Sequence, residues 1–237
     1  MAAEQTIAPG NRIAIRWRWQ WLLLVFPALM VLGVVAFATL KPVKVLPRVR
    51  PALSFILTDH TGRRLTNEDL RGQTVLYTFG YTGCGAACEP LNAMMKSVQD
   101  NAARYAADGL PITLVTMLFD PERDTPEAMQ AYAKSVGADP ARWHLATGDP
   151  TRLKQTIGGG FEVYYTPKSD GGFTFEPAAV LVDALGIIRG EYRAQAQNLD
   201  TKIVMRQLDV LAQEMRNSTG ASRLAYEAAH LFLCYAH

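Results

Sequence analysis

The amino-acid sequence predicts a three-layer α/β domain with a mixed sheet, preceded by one N-terminal transmembrane helix. Three observations support this prediction. Short β-branched and aromatic runs alternate with amphipathic helical segments from Phe55 onward, a hairpin pattern follows near residues 178–192, and residues 19–40 contain no charged side chain. The order strand–helix–strand, then helix, hairpin and helix, is typical of a sheet covered by helices on both faces.

Composition excludes several classes of protein. Of the 237 residues, 49% are hydrophobic and 19% are charged, so the chain is neither disordered nor a coiled coil. The 24 basic and 22 acidic residues give a net charge of +2, which leaves no basic excess for binding a phosphate backbone and argues against a nucleic-acid partner. Three cysteines are too few for a disulfide-stapled scaffold, so any cysteine pair is interpreted through its reactivity.

The N-terminal region predicts a membrane anchor, divided into a tail (1–18), a transmembrane helix (19–40) and a tether rich in proline and basic residues (41–52). About twenty apolar residues span the roughly 30 Å core of a bilayer. The alternative is a cleaved signal peptide, because residues 36–38 have the small-x-small pattern of a cleavage site. The tether is expected to be an extended, semi-rigid spacer.

The domain predicted over residues 53–216 begins with strands. Residues 55–58 form the first, and they run into a turn. Residues 74–82 are β-branched and aromatic, and Gly72 and Gly83 bound them, as is typical of a buried central strand.

Helices and a second buried strand follow. We expect a helix over 89–107, a strand over 112–119, and a helix over 125–136 that has a threonine N-cap and a proline in its first turn. A further helix is expected over 150–157, and the three glycines at 158–160 should end it.

The last part of the chain predicts a hairpin and two helices. Residues 178–183 and 187–192 form the hairpin, and an amphipathic helix over 199–215 closes the domain. Residues 217–237 are expected to hold a flexible linker and a C-terminal helix over 222–235.

Cys84 and Cys88 form the main candidate site. They lie where the central strand ends and the helix over 89–107 begins. Free backbone N–H groups and the positive end of a helix dipole stabilise a thiolate there, and a spacing of four places both sulfurs on one helical face. Two close thiolates can cycle between dithiol and disulfide, or they can hold a soft cation such as Cu(I).

The surroundings of the pair resemble the Sco/SenC family. The resemblance rests on Phe-Gly-Tyr-Thr at 79–82 and on Asp-Pro-Glu-Arg-Asp-Thr-Pro at 120–126, and it covers about residues 52–213. It implies a membrane-tethered, thioredoxin-like protein that helps to assemble the copper site (CuA) of cytochrome c oxidase. The implied ligands for Cu(I) are Cys84 and Cys88, and the implied partner is the copper-bearing oxidase subunit or another copper or thiol protein.

Three residues depart from or add to that pattern. Counting back from Asp183, the position of the family's copper-binding histidine falls on Phe175, and Gly85 replaces the proline that follows the first cysteine. Pro177 lies where thioredoxin-like reductases carry a cis-proline that faces the cysteine pair. A trans proline at the entrance of a strand is the alternative. These departures favour thiol exchange over metal binding.

Several other side chains are possible donors. The C-terminal helix could supply a metal site or the missing third ligand, although docking of an apolar helix explains its pattern as well. Glu176 is a weak oxygen donor, and a histidine or methionine is more often a packed residue than a ligand. The residues considered are Met94, Met95, Met117, His144, Glu176, His230, Cys234 and His237.

Three functional hypotheses follow. The first is a thiol–disulfide oxidoreductase with Cys84 as the attacking thiolate, Cys88 as the resolving thiol and Pro177 beside them. The second is a Cu(I) metallochaperone that uses the same two cysteines and an unidentified third ligand. The third is a module that docks on the oxidase without catalysis. A thiol–disulfide couple suits an oxidising compartment, so we expect a single-pass protein of a bacterial-type inner membrane with its domain in the periplasm.

Overall fold

The computed structural model describes residues 13–40, 45–217 and 226, and the side chains of the first helix only at positions 21 and 23–35. The chain divides at Lys44 into two units, each considered by itself. Helix α1 (Ile13–Leu40) contains Pro27, and its large apolar side chains that are described are exposed. Within these described residues, no helix is both long enough and apolar enough to cross a membrane. The anchor over 19–40 therefore stays a prediction.

A seven-stranded sheet forms the centre of the second unit, and a separate two-stranded sheet flanks it. The strands are β1 (Ile56–Asp59), β2 (Arg64–Thr66), β3 (Thr74–Gly80), β4 (Ile112–Leu118), β5 (Trp143–Thr147), β6 (Tyr165–Pro167), β7 (Phe173–Phe175), β8 (Ala178–Val182) and β9 (Ile188–Arg193). The large sheet has the order β2–β1–β5–β4–β3–β8–β9, and β6 pairs with β7. Strands β3, β4 and β5 are parallel and the other pairs are antiparallel, which confirms the predicted mixed sheet.

Helices cover both faces of this sheet. They are α2 (Glu89–Ala107), α3 (Pro126–Val136), α4 (Pro150–Lys154) and α5 (Thr201–Arg216). Because side chains alternate along β3, Leu76 joins the core beneath α2, α3 and α5, whereas Tyr77 joins the core that holds Phe161 and the α4 residue Leu153. The predicted three-layer α/β arrangement is therefore confirmed.

Four strands were missed by the sequence prediction. Strands β2, β6 and β7 have only three residues each, too few for an alternating pattern to stand out. Strand β5 lies in the middle of the sheet between β1 and β4, and four of its five residues are buried. Its sequence does not alternate between apolar and polar residues, because both faces of the strand are covered.

The three glycines at 158–160 do not end a helix as predicted. A π-helical segment, Gln155–Gly160, continues directly from α4 through all three of them. Gly160 is buried, and a Cβ atom at this position would lie 3.2 Å from the side chain of Leu53. Close packing, rather than helix termination, explains the glycine there.

The prediction that residues 41–52 form an extended spacer outside the domain is wrong for residues 45–52, which pack against it. Leu46 is buried, and its N–H donates to Oε1 of Glu214 at 2.7 Å. Arg189, itself buried, donates to the carbonyl oxygens of Leu46 at 2.8 Å and Pro47 at 3.0 Å. A buried guanidinium requires acceptors for its N–H groups, and this segment supplies two of them. Residues 41–44 lie outside the described residues.

Candidate redox site

The cysteine pair lies in the loop between β3 and α2. Cys84 and Cys88 flank a short 3₁₀ turn, Gly85–Ala87, and they form a disulfide with their Cα atoms 5.8 Å apart. Helix α2 begins only at Glu89, with Cys88 as its N-cap. The prediction that both sulfurs share one helical face is therefore wrong, because Cys84 precedes the helix and the tighter turn brings it to Cys88.

Both cysteines are largely covered, but Gly83 and the residues between the cysteines are exposed and small. Cys84 is 7% exposed and Cys88 is 3% exposed. Gly83 and the three residues of the 3₁₀ turn are exposed, and none of them has a side chain larger than a methyl group. A partner chain can therefore approach the sulfurs closely without displacing a large side chain.

The backbone at Gly85 explains why the sequence departs from the family pattern there. Its φ is +51°, a left-handed conformation that glycine adopts without steric cost. Proline, which the family carries at this position, has its φ fixed near −65°. The backbone path of this cysteine loop is therefore one that a proline at position 85 could not follow.

The last residue of β3 must also be small. A Cβ atom on Gly80 would lie 2.8 Å from Sγ of Cys88 and 3.7 Å from Sγ of Cys84. The disulfide therefore packs directly on the backbone of the central strand.

Sequence reasoning missed two polar side chains here, one that contacts Cys84 and a second that holds the first. The hydroxyl oxygen of Tyr132 lies 3.7 Å from Sγ of Cys84, and Nδ2 of Asn92 donates to that hydroxyl oxygen at 2.7 Å. Burial raises the pKa of Tyr132. Asn92 follows Cys88 by one helical turn, so its spacing could have revealed it. Tyr132 comes from α3, and no local signal connects it to the cysteines.

The stretch at 120–126 supports the cysteine loop. Oδ1 of the buried Asp124 accepts hydrogen bonds from the N–H of Thr82 at 2.9 Å and from its hydroxyl at 2.7 Å, while Oδ2 accepts from the N–H of Asp120 at 3.1 Å. Burial raises the pKa of Asp124, and the hydrogen bonds from Thr82 oppose this shift. One carboxylate thus connects the segment before Cys84 to the end of β4.

The other members of the stretch form a turn and the predicted helix cap. Arg123 pairs with Asp120. Its guanidinium carbon also lies 5.7 Å from the centre of the Phe173 ring, which ties the turn to β7. The hydroxyl of Thr125 accepts from the N–H of Ala128 at 3.3 Å, which confirms the threonine cap.

Phe175, at the position of the family histidine, belongs to an aromatic cluster. Its ring centre lies 6.2 Å from that of Tyr81 and 5.3 Å from that of Phe119. Phe119 also stacks on Tyr165 at 4.3 Å and makes an edge contact with Phe173 at 5.3 Å. Apolar rings therefore surround the position at which a metal-binding imidazole is expected.

Pro177 precedes β8 on the other side of β3. Thr78 pairs with Ala179, so continuing that antiparallel register places Pro177 opposite Gly80. No cis peptide bond occurs among the described residues, so the cis geometry considered for Pro177 is not present. Its carbonyl accepts a hydrogen bond from the N–H of Ala194 at 3.1 Å.

The other possible donors are engaged elsewhere. The carboxylate of Glu176 accepts from the N–H of Gln195 at 3.0 Å and lies 3.9 Å from Arg193. Nδ1 of His144 lies 3.2 Å from Asp59. Met94, Met95 and Met117 are packed in the core. His230, Cys234 and His237 lie outside the described residues.

These observations test whether the site fits copper as the family binds it. Among the described residues, no group of three His, Cys, Asp or Glu side chains could hold a metal ion. The site offers two soft sulfur donors, and only after its disulfide has been reduced. The arrangement therefore does not fit a two-cysteine, one-histidine copper site.

Comparison with known proteins agrees with the fold and with the resemblance. Residues 47–208 match the family model described as SCO1/SenC. Over an aligned region of 114 residues, the chain is 37% identical to the human protein named "Protein SCO1 homolog, mitochondrial". This region covers 48% of this chain and 36% of the human protein. The chain thus spans about a third of the length of that curated relative.

Two solved structures illustrate the likeness. Bradyrhizobium japonicum ScoI, solved with copper bound, is 26% identical with a TM-score of 0.51, over 67% of this chain and 98% of that one. BsSco shares the fold at 19% identity and a TM-score of 0.58, over 70% of this chain and 96% of that one. It is described as having a disulfide switch and as a member of the Sco family of cytochrome c oxidase assembly proteins. With most of the domain matched by the family model, the chain belongs to the SCO1/SenC family.

Proposed function

We propose that this protein is a membrane-tethered thiol–disulfide exchange protein that supports assembly of the copper site of cytochrome c oxidase. The observation that carries the proposal is the disulfide between Cys84 and Cys88, held at the end of β3 beneath an exposed rim of glycine and alanine. The absence of a third metal donor near it among the described residues favours exchange over copper binding.

The exchange proceeds in two balanced steps. The thiolate of Cys84 attacks one sulfur of a disulfide in the partner, forms a mixed disulfide and releases the partner's other sulfur as a thiolate. The thiolate of Cys88 then attacks Sγ of Cys84, which closes the internal disulfide and releases the partner's remaining thiolate. Two electrons pass to the partner, and a dithiol reductant of the same compartment returns Cys84 and Cys88 to the reduced state.

The family supplies the partner and the compartment in this proposal. A relative is described as a cytochrome c oxidase assembly protein. Copper can bind cysteines of the oxidase only when they are reduced, so delivering electrons to them would serve copper loading. Residues 19–40 would anchor the chain in a bacterial-type inner membrane, with the domain in the periplasm, where disulfides persist.

Delivery of Cu(I) is the second candidate function, and two observations favour it. ScoI of Bradyrhizobium japonicum was solved with copper bound. The two cysteines here lie close enough to form a disulfide, so after reduction they offer two adjacent soft thiolate donors for Cu(I). Copper would then be cargo, held by two thiolates without the family's imidazole.

Two measurements on the full-length protein in detergent separate these functions. In the first, the reduced protein is mixed with the oxidised copper-bearing domain of an oxidase subunit, and free thiols on both proteins are trapped and counted. We expect electrons to pass to the oxidase domain with wild type and with Cys234→Ser, but not with Cys84→Ser or Cys88→Ser. No transfer by wild type would overturn the proposal.

The second measurement is an anaerobic Cu(I) titration against a competing chelator. We expect wild type to bind no more tightly than a simple dithiol, and Phe175→His to bind more tightly because it adds an imidazole donor. Wild-type binding far above that of a dithiol would favour copper delivery. Oxidase assembly that survives loss of both Cys84 and Cys88 would identify a docking module instead.

A further inference from the structure

We propose that Tyr132 tunes the redox equilibrium of the cysteine pair by donating a hydrogen bond to Sγ of Cys84, and that Asn92 positions this hydroxyl. The inference rests on the proposed thiol–disulfide function. It concerns two residues outside the cysteine motif, contributed by α3 and α2.

The direction of the hydrogen bond follows from the hydrogen atoms available. In the disulfide, Sγ of Cys84 has no hydrogen, so only the hydroxyl of Tyr132 can donate across the 3.7 Å that separates oxygen from sulfur. Nδ2 of Asn92 donates to the same oxygen at 2.7 Å. The amide hydrogen therefore occupies one lone pair of the Tyr132 oxygen, which leaves the O–H free to point at Cys84.

Burial keeps this arrangement intact. Cys84 is 7% exposed, and Tyr132 is half-buried, so water competes little for the hydrogen bond. A tyrosine hydroxyl is protonated at neutral pH, and burial raises the pKa of Tyr132 further above its ordinary value. A donor held by a second fixed residue loses little entropy when it acts on the sulfur.

The hydrogen bond affects the two redox states unequally. A dithiol reductant supplies two electrons and two protons, so the bond between Cys84 and Cys88 breaks while a disulfide forms in the reductant. When the reduced Cys84 then releases its proton to solvent, its Sγ carries a negative charge, and a hydrogen bond to a charged atom is stronger than one to a neutral atom. Tyr132 therefore stabilises the reduced state more than the disulfide and makes the pair a stronger oxidant.

The test compares single substitutions in the full-length protein, carried in a Cys234→Ser background so that only Cys84 and Cys88 titrate as a couple. The protein is equilibrated in buffers of defined oxidised-to-reduced dithiothreitol ratio, thiols are trapped, and the equilibrium constant is measured. Tyr132→Phe removes only the hydroxyl. We expect its constant to shift about tenfold toward the disulfide, which is about 30 mV for a two-electron couple.

Asn92→Leu provides a second, stricter variant. It keeps about the size and shape of the side chain, adds no charge beside Cys84 and leaves the hydroxyl of Tyr132 in place, but it cannot donate a hydrogen bond. The O–H of Tyr132 is then no longer held toward Cys84, so we expect a shift in the same direction as that of Tyr132→Phe and no larger. In the double variant the two effects should not add, because Asn92 acts through Tyr132.

Tyr105→Phe is the matched control, since it also removes one tyrosine hydroxyl from the interior. Tyr105 lies at the end of α2 that is far from Asn92, and its hydroxyl donates to the carbonyl oxygen of Met205. Its equilibrium constant should equal that of the parent. Parent-like constants for both Tyr132→Phe and Asn92→Leu, or additive shifts in the double variant, would overturn the inference while leaving the proposed function standing. Failure of the parent itself to reach a reversible thiol–disulfide equilibrium would overturn both.

Discussion

Asp124 accepts two hydrogen bonds from Thr82, one from the backbone N–H at 2.9 Å and one from the hydroxyl at 2.7 Å. The two residues are 42 positions apart in sequence. Thr82 precedes Cys84 by two residues, and Asp124 directly precedes the N-cap of α3, the helix that carries Tyr132. This contact therefore fixes the cysteine loop relative to the helix whose hydroxyl reaches Cys84.

Asp124→Asn should destabilise the domain by about 1–3 kcal/mol, the usual cost of leaving a buried polar group unpaired. An amide has only one acceptor atom, so its NH₂ group would face a hydrogen-bond donor, the N–H of either Asp120 or Thr82. Chemical denaturation of the full-length protein measures the effect. Asp69→Asn is the control, because Asp69 accepts the same pair of hydrogen bonds from Thr66 at an exposed site. Equal losses in the two variants would contradict the importance of burial.

Asp124 should also make stability depend on pH. Burial raises the pKa of this carboxyl in the folded state, so the folded protein binds its proton more tightly than the unfolded chain does. Its contribution to the free energy of unfolding is therefore largest below the ordinary aspartate pKa and falls as the pH rises through the raised value. Unfolding measured from pH 3 to pH 8 should show the deficit of Asp124→Asn growing toward acid, and a deficit independent of pH would refute this.

Gly80→Ala should shift the cysteine pair toward the dithiol form by several-fold. The added Cβ would lie 2.8 Å from Sγ of Cys88, which the disulfide fixes in place. In the dithiol, that sulfur can rotate to another staggered position and relieve the clash. Thiol trapping in a fixed redox buffer measures the shift. Gly159→Ala, with no atom within 4 Å of its added Cβ, should leave the equilibrium unchanged. A shift of Gly80→Ala toward the disulfide would rule out this packing argument.

Gly85→Pro should disrupt the loop far more than Gly85→Ala. Alanine can occupy φ = +51° at a cost of about 1–2 kcal/mol, whereas the proline ring cannot adopt that angle at all. The chain would have to change its path between Cys84 and Cys88 to accept the proline that the family carries. Denaturation of the oxidised protein should show the larger loss for proline, and equal stability of the two variants would mean that the loop already samples the other path.

The sequence predicted the parts of this protein that local pattern encodes. The central strand, the hairpin over residues 178–192 and the capped helix after Thr125 follow from β-branched runs, turn glycines and capping chemistry. Strand β5 and the 3₁₀ turn between the cysteines did not follow, because both depend on packing that local periodicity does not carry. The two-residue link from Asn92 through Tyr132 to Cys84 depends on the meeting of α2 and α3, which only the fold reveals.

The packing of residues 45–52 leads to the last prediction, which concerns where a soluble form of the domain can begin. A chain starting at residue 53 should be less stable than one starting at residue 45. Burial of Leu46 contributes about 1.5–3 kcal/mol, and its removal also deprives Glu214 of a hydrogen bond. Arg189 would lose two carbonyl acceptors while remaining paired with Asp183 at 3.0 Å and Glu214 at 2.7 Å.

The comparison of these two truncations needs a control for the buried charges. Arg189→Met in the longer form should cost about 3–5 kcal/mol, because it leaves the Asp183 and Glu214 carboxylates buried without their cation. If residues 45–52 serve as a mere spacer, the two truncations will unfold at the same denaturant concentration. If instead this segment completes the domain, the shorter form will unfold at a lower denaturant concentration. Arg189→Met will then cost less stability in the shorter form than in the longer one, because two of the contacts that Arg189 makes are already gone.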